Sequence, residues 1–312
     1  MRTLRQGSVA LLPLALTGIV LALAGCGAGS GTSSAGAVTV VATTTQLGDF
    51  VRAVGGDRVD VVQVLQPNSD PHEYEPRPDD VRALVDAPLV FESGAGLDAW
   101  MAKVVAAAGA HPRVVTLAEA NMMRLAGDPH WWHDPRNVEA AIPVIRAALA
   151  RANPPAAGVY ARNARVYLRR VKRLDAGIAA CMRRVPAAQR KLVTDHDAFG
   201  SFARRYRIEV VGTVIQSQTT QAQPSAGDLA QLVRTIRREH VHAIFPEASV
   251  NAELAQAIAR ETGASADATL YGDTLGPAGS AGATYLGMER HNADAMVRGF
   301  TGGRQGCTIP SL

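Results

Sequence analysis

From residue 38 onward, short β-branched runs alternate with longer segments whose apolar positions recur every three or four residues. Residues 38–43 (VTVVAT) predict a strand, and a helix follows over 47–54. Residues 59–65 (VDVVQVL) predict a second strand, after which a proline-rich loop leads to a helix over 78–86. A strand over 89–91, a helix over 98–108 and a strand over 113–117 complete this half. The alternation resumes with strands over 191–194, 208–212, 242–245 and 268–271, and helices over 198–206, 225–238 and 252–262. Strands that take turns with helices argue for parallel βαβ layers, since a parallel pair needs a crossover that a helix supplies.

Between the two halves the period is helical throughout. A helix over 137–150 precedes Asn153-Pro154-Pro155, which reads as a helix start with Asn as cap and proline in the first turn. No further proline occurs until Pro186, and apolar positions recur at Tyr160, Ala164, Tyr167, Val171, Leu174, Ile178, Cys181 and Val185. A helix from Pro154 to Arg184 would be about 46 Å long at 1.5 Å per residue. A partner-binding coiled coil is the rival reading, but the seam is short and rich in small residues. The predicted architecture is α/β with two lobes, each a small, mainly parallel sheet flanked by helices, joined by one long spine helix. The corresponding divisions are an N-terminal lobe over 38–150, the linking helix over 151–186 and a C-terminal lobe over 187–312. Ligands of open parallel sheets bind beyond the carboxyl ends of the strands, so the cleft between the lobes is where a site is expected.

The first residues change the compartment. Arg2 and Arg5 precede an apolar run from Val9 to Ala24 that ends in Leu23-Ala24-Gly25-Cys26. A basic start, a short apolar run and small residues at its exit describe an export signal over 1–25. The run is slightly short for a permanent anchor, which needs roughly 20 residues. Leu-Ala-Gly-Cys also resembles the bacterial lipoprotein box, which implies cleavage before Cys26 and lipidation of its thiol. Residues 27–37 (GAGSGTSSAGA) have no apolar pattern and read as a flexible leash, so 26–37 is the lipidated cysteine and its linker. The expected location is the outer face of a bacterial cytoplasmic membrane.

Composition adds exclusions. With 47% of its 312 residues hydrophobic, the chain has material for one large or two ordinary cores, which rules out disorder over most of it. The charge is 32 basic against 28 acidic residues, and loss of Arg2 and Arg5 would reduce the excess from +4 to +2. No run of Lys/Arg stands out as a phosphate-binding stripe, so nucleic acid is not an expected partner. Once Cys26 is lipidated, Cys181 and Cys307 remain, and two cysteines in an oxidising compartment are expected to pair. The alternative is a free Cys307 on a frayed tail.

Of eight histidines, three stand in loops near predicted strand ends or between prolines. His72 lies in Asp70-Pro71-His72-Glu73-Tyr74-Glu75-Pro76, His130 in Asp128-Pro129-His130-Trp131-Trp132-His133, and His196 in Thr194-Asp195-His196-Asp197-Ala198-Phe199. Asp273 follows the last predicted strand. Three neutral imidazoles and one carboxylate make an N3O set suited to tetrahedral Zn²⁺. Any one of these histidines taken singly is more readily a solvated loop residue; the combination carries the reading. His111, His240, His242 and His291 read as surface or structural positions, and Trp131 and Trp132 as cleft walls or plain packing.

These motifs closely resemble the zinc/manganese solute-binding lipoproteins of bacterial ABC importers, the metal-binding cluster A-I proteins, over residues 38 to about 302. Gly94-Ala95-Gly96-Leu97-Asp98-Ala99-Trp100, Pro224-Ser225-Ala226, Ala243-Ile244-Phe245-Pro246-Glu247 and Asp273-Thr274-Leu275 continue the resemblance in order. It implies His72, His130, His196 and Asp273 as metal ligands. It also implies an ABC permease as partner and zinc as the transported ion, because zinc-type members have His and manganese-type members Glu at the position of His196. Two departures stand out. Residues 121–128 are short and lack the His-rich loop of many zinc-uptake members, and His133 adds a histidine where the pattern is commonly apolar, as a substitute ligand or a supporting group. A monomer is expected. A manganese or ferrous iron receptor stays open as an alternative, as does a surface adhesion lipoprotein. A zinc hydrolase is disfavoured because Pro76, not His, stands four positions after His72.

Overall fold

The computed structural model describes residues 36–120 and 125–310; the export signal, Cys26 and most of the leash lie outside the described residues. Strands β1 (Val38–Ala42), β2 (Val59–Gln63), β3 (Leu89–Glu92) and β4 (Arg113–Thr116) form a parallel sheet in the order β2-β1-β3-β4. Helices α1 (Thr45–Gly55), α2 (Pro78–Val85) and α3 (Met101–Ala108) supply the crossovers. Strand order reverses between β1 and β3, so the loops beyond their carboxyl ends splay apart and leave room for a site.

Helices α4 (Pro135–Ala152) and α5 (Ala157–Arg184) follow, with a short 3-10 turn, Pro154–Ala156, between them. Asp134 caps α4 by accepting from the backbone N–H of Arg136, and Pro135 occupies the first turn, where a missing N–H costs nothing. Helix α5, about 42 Å long at 1.5 Å per residue, buries Tyr160, Ala164, Tyr167, Val171, Leu174, Ile178 and Cys181, the positions that its sequence period marks. It packs against α1, α4 and α9 (Tyr285–Phe300). One continuous core runs through it, from Val40 and Phe91 on one side to Leu192, Phe245 and Phe300 on the other.

The second lobe holds β5 (Lys191–Thr194), α6 (Gly200–Tyr206), β6 (Glu209–Thr213), α7 (Ala226–Arg238) and α8 (Glu253–Thr262). β5 and β6 are parallel, with an irregularity at Leu192/Val193. Ser225 and Asp228 form a reciprocal capping box at the start of α7. The segments expected as strands over 242–245 and 268–271 form no regular ladder: Phe245 bridges Thr194 of β5, while Ala243 with Ser265 and Glu247 with Leu270 make isolated bridges outside the sheet. Pro246 has no N–H to donate, which breaks any regular ladder at that point. Cys181 on α5 and Cys307 beyond α9 are joined as a disulfide with Cα atoms 5.4 Å apart, tying the end of the spine to the tail of the last helix.

Candidate metal centre

Four loops bring one side chain each to a common point. Ligand-type atoms of His72, His130, His196 and Asp273 all lie within 4.8 Å of one another. Asp273 is central: its Oδ1 is 3.1 Å from Nε2 of His130, and its Oδ2 is 3.3 Å from Nε2 of His196 and 3.6 Å from Nε2 of His72. His130 and His196 are fully buried, and the side chain of His72 keeps only 8% of its surface exposed. The cluster is therefore sealed except beside His72.

Each histidine is held from behind. One oxygen of Asp128 takes both the backbone N–H of His130 and its Nδ1, each at 2.9 Å. One oxygen of Glu247 does the same for His196, at 3.0 Å to the backbone N and 3.0 Å to Nδ1. A carboxylate on Nδ1 fixes the ring orientation and leaves the Nε2 lone pair for the centre, the arrangement that supports metal-bound imidazoles. The other oxygen of Asp128 accepts from Ser201 on α6, and the backbone N–H of Glu247 donates to Asp195 at 2.7 Å. His72 is placed by its backbone, which donates to Asp70 at 2.8 Å, while Gln221 of the second lobe donates to its carbonyl at 2.7 Å. Asp273 is placed through Gly272, whose carbonyl accepts from Trp132 Nε1 at 3.2 Å and His133 Nε2 at 3.1 Å.

The charges are arranged for a cation. Burial pushes Asp273 toward its neutral form, yet His196, His130 and His72 outweigh it and hold the carboxyl well below the ordinary range. Burial likewise opposes a charged His196, but Glu247 and Asp273 prevail and raise its pKa well above the usual value. His130 is raised in the same way, with Asp128 and Asp273 outweighing burial. Asp195 is pushed up to about 7 by burial and then by Glu247. Both oxygens of Asp273 and Nε2 of His196 are buried without an aligned hydrogen-bond partner. Buried polar atoms are normally satisfied, so this set of orphans around one point calls for a positive ion that accepts electron pairs from all of them.

His133 is outside the cluster. Both its ring nitrogens are engaged, Nδ1 with Glu289 at 2.8 Å and Nε2 with the carbonyl of Gly272. Trp131 and Trp132 are fully buried core side chains, with the Trp132 ring edge-on to His130. His111, His240 and His242 are exposed, and His291 bonds the carbonyl of Thr269 at 2.9 Å. Sequence reasoning assigned no role to Asp128 or Glu247. Their signals were present: Asp128 stands two residues before His130, and Glu247 stands two residues after the run 242–245 that reads as a strand.

Residues 40–299 match the family described as zinc-uptake complex component A, periplasmic. The chain belongs to this family. It is 32% identical over 272 residues to the manganese-binding lipoprotein MntA of Bacillus subtilis (strain 168), covering 83% of this chain and 88% of that protein. It is 29% identical over 270 residues to the zinc-binding protein TroA of Treponema pallidum (strain Nichols), covering 83% and 87%. The solved structure of the periplasmic zinc-binding protein TroA from Treponema pallidum superposes with a TM-score of 0.79 at 28% identity, covering 85% of this chain and 99% of that one. The two-lobe α/β fold with its long helix is thus that of the family. The protein is a metal-binding receptor of an ABC importer with a His3Asp site for a divalent metal, and not an enzyme.

Proposed function

We propose that the protein captures Zn²⁺ with His72, His130, His196 and Asp273 and delivers it to a permease in the cytoplasmic membrane. The observation that carries this reading is the convergence of three imidazole nitrogens and one carboxylate within 4.8 Å, with both Asp273 oxygens lacking an aligned hydrogen-bond partner. Four protein ligands of N3O type suit tetrahedral zinc and leave no open position for a substrate, as a carrier requires. Lipidation at Cys26 and the leash over 27–37 would keep the receptor at the outer face of that membrane. The lobes over 38–150 and 187–312, linked by the helix over 151–186, split the ligands between them. Release then needs only the loop of His72, the least buried ligand, to withdraw.

The test is metal content and competitive affinity of the chain beginning after Cys26, in wild type and His196→Ala. One equivalent of tightly held zinc, greatly weakened in the variant, is the expected result. Preference for manganese would move the assignment toward the manganese-binding lipoprotein MntA, and preference for ferrous iron toward the alternative that the sequence left open. An unchanged His196→Ala variant would sink the N3O set.

A further inference from the structure

Eight basic residues lie on α5 against one acid, Asp175, although the whole chain carries an excess of only four; the rest of the molecule is therefore net negative. Asp175 is buried and already bonded to Arg205 and Tyr206, each at 2.9 Å. On the face of α5 turned from the core, Arg165, Arg169 and Lys172 are exposed at helical spacing. Lys172 lies 3.7 Å from Glu139 on the antiparallel α4. Two turns from that contact along each helix, Arg165 and the exposed Arg146 fall on the same side of the pair. Among the described residues, Arg146, Arg165 and Arg169 make no ion pair.

The same stripe of α5 continues through Ala179 to Arg183, and these two residues line a cavity of about 300 Å³ together with Arg190, Arg205 and Arg207. Nη1 of Arg190 donates to the carbonyls of Tyr206 and Arg207, at 3.2 and 3.3 Å, while its Nε is buried without a partner. Arg207 stands in the left-handed region, φ 57°, so the turn aims an arginine where glycine would be easier. Arg205 is taken up by Asp175 through Nε and Nη2, so Arg183 and Arg207 are the cavity's guanidinium groups that can turn to a phosphate.

We propose that this face of α4 and α5, with its arginine cavity, docks on the phosphate headgroups of an anionic bilayer. The stripe from Arg165 to Arg183 spans about 27 Å at 1.5 Å per residue, too long for one small anion and suited to a charged plane. The choice of a membrane over nucleic acid rests on the lipid anchor of the preceding reading. Helix α5 supplies none of the four cluster residues, so docking leaves the metal centre free.

The experiment is sedimentation of the unlipidated chain from Gly27 onward with vesicles of phosphatidylglycerol and phosphatidylcholine, against phosphatidylcholine alone, at low and at physiological salt. Binding to the anionic vesicles only, weakened by salt, is expected. Each basic residue at such a surface contributes roughly fivefold, so Arg165→Gln with Arg169→Gln should weaken binding about 30-fold while leaving metal affinity unchanged. Arg183→Gln with Arg207→Gly should weaken it to a similar degree. Absence of binding, equal binding to both vesicles, or unaltered binding by the Arg165/Arg169 variant would overturn the proposal. So would saturable binding of inorganic phosphate without vesicle binding, or equally tight binding of duplex DNA. The wild-type comparison needs neither metal nor a variant, so it stands or falls apart from the zinc assignment.

Discussion

His133 and Glu289 stand 156 positions apart and meet at 2.8 Å, with both side chains fully buried. The other nitrogen of His133 donates to the carbonyl of Gly272, next to Asp273. One buried pair therefore ties the turn carrying His130 to α9 and to the loop of Asp273. Phe199 stacks on the His133 ring with centroids 4.5 Å apart, closing it from water. Burial pushes the Glu289 carboxyl above its ordinary range, against the opposing pull of His133.

Removing one partner of this pair leaves the other buried and unmatched. His133→Ala should destabilise the fold by about 3–5 kcal/mol in urea unfolding. His133→Leu combined with Glu289→Leu should cost less than the sum of the single changes, because the two contacts fail together. Strictly additive costs would show that the pair is not a unit. Zinc affinity should fall in His133→Ala as well, since Gly272 loses one of its two donors.

Asp128 and Glu247 touch no metal in the proposed site but hold two of its imidazoles. Asp128→Asn and Glu247→Gln keep shape while removing charge, and each should weaken zinc binding roughly 10–100-fold. Competitive titration with a chelator measures it. A change below twofold would mean that ring orientation is set by packing alone.

In the metal-free centre Asp195 and His196 hold their protons more tightly than usual, whereas Asp273 gives its proton up more readily. Asp195, at about 7 against an ordinary 3.8, binds its proton more strongly when folded, so its contribution to stability declines as pH rises from about 4 to 7. The raised His196 acts in the same sense: its contribution is present at acid pH and lost as pH rises through its folded value. Zinc requires neutral imidazoles and so binds better as protons leave. The gap in melting temperature between zinc-loaded and metal-free protein should therefore widen from about pH 5.5 to about pH 8. Differential scanning calorimetry with and without chelator tests this, and a gap constant across the range would contradict it.

The disulfide closes a loop of 126 positions. On the loop-entropy account its loss should cost about 4–5 kcal/mol. Urea unfolding of a Cys181→Ser, Cys307→Ser double variant should show it, with metal affinity little changed because neither cysteine approaches the cluster.

The sequence alone determined most of the elements and their order, though the runs over 242–245 and 268–271, read as strands, make only isolated bridges. Alternation of β-branched runs with helical periods marks parallel βαβ layers, and the apolar seam from Tyr160 to Cys181 marks the spine, because periodicity records which face of an element is buried. It also placed His72, His130, His196 and Asp273 in loops near strand ends. It could not place them within 4.8 Å of one another, since that distance depends on how two sheets sit on a shared helix, a long-range property no local pattern encodes. The same limit hid Asp128 and Glu247, whose roles exist only once a ring nitrogen faces them. Nor did it reveal the cationic face of α5: read along the chain its arginines form no run, and only rotation about the helix axis, with Glu139 fixing α4 beside it, gathers them onto one side.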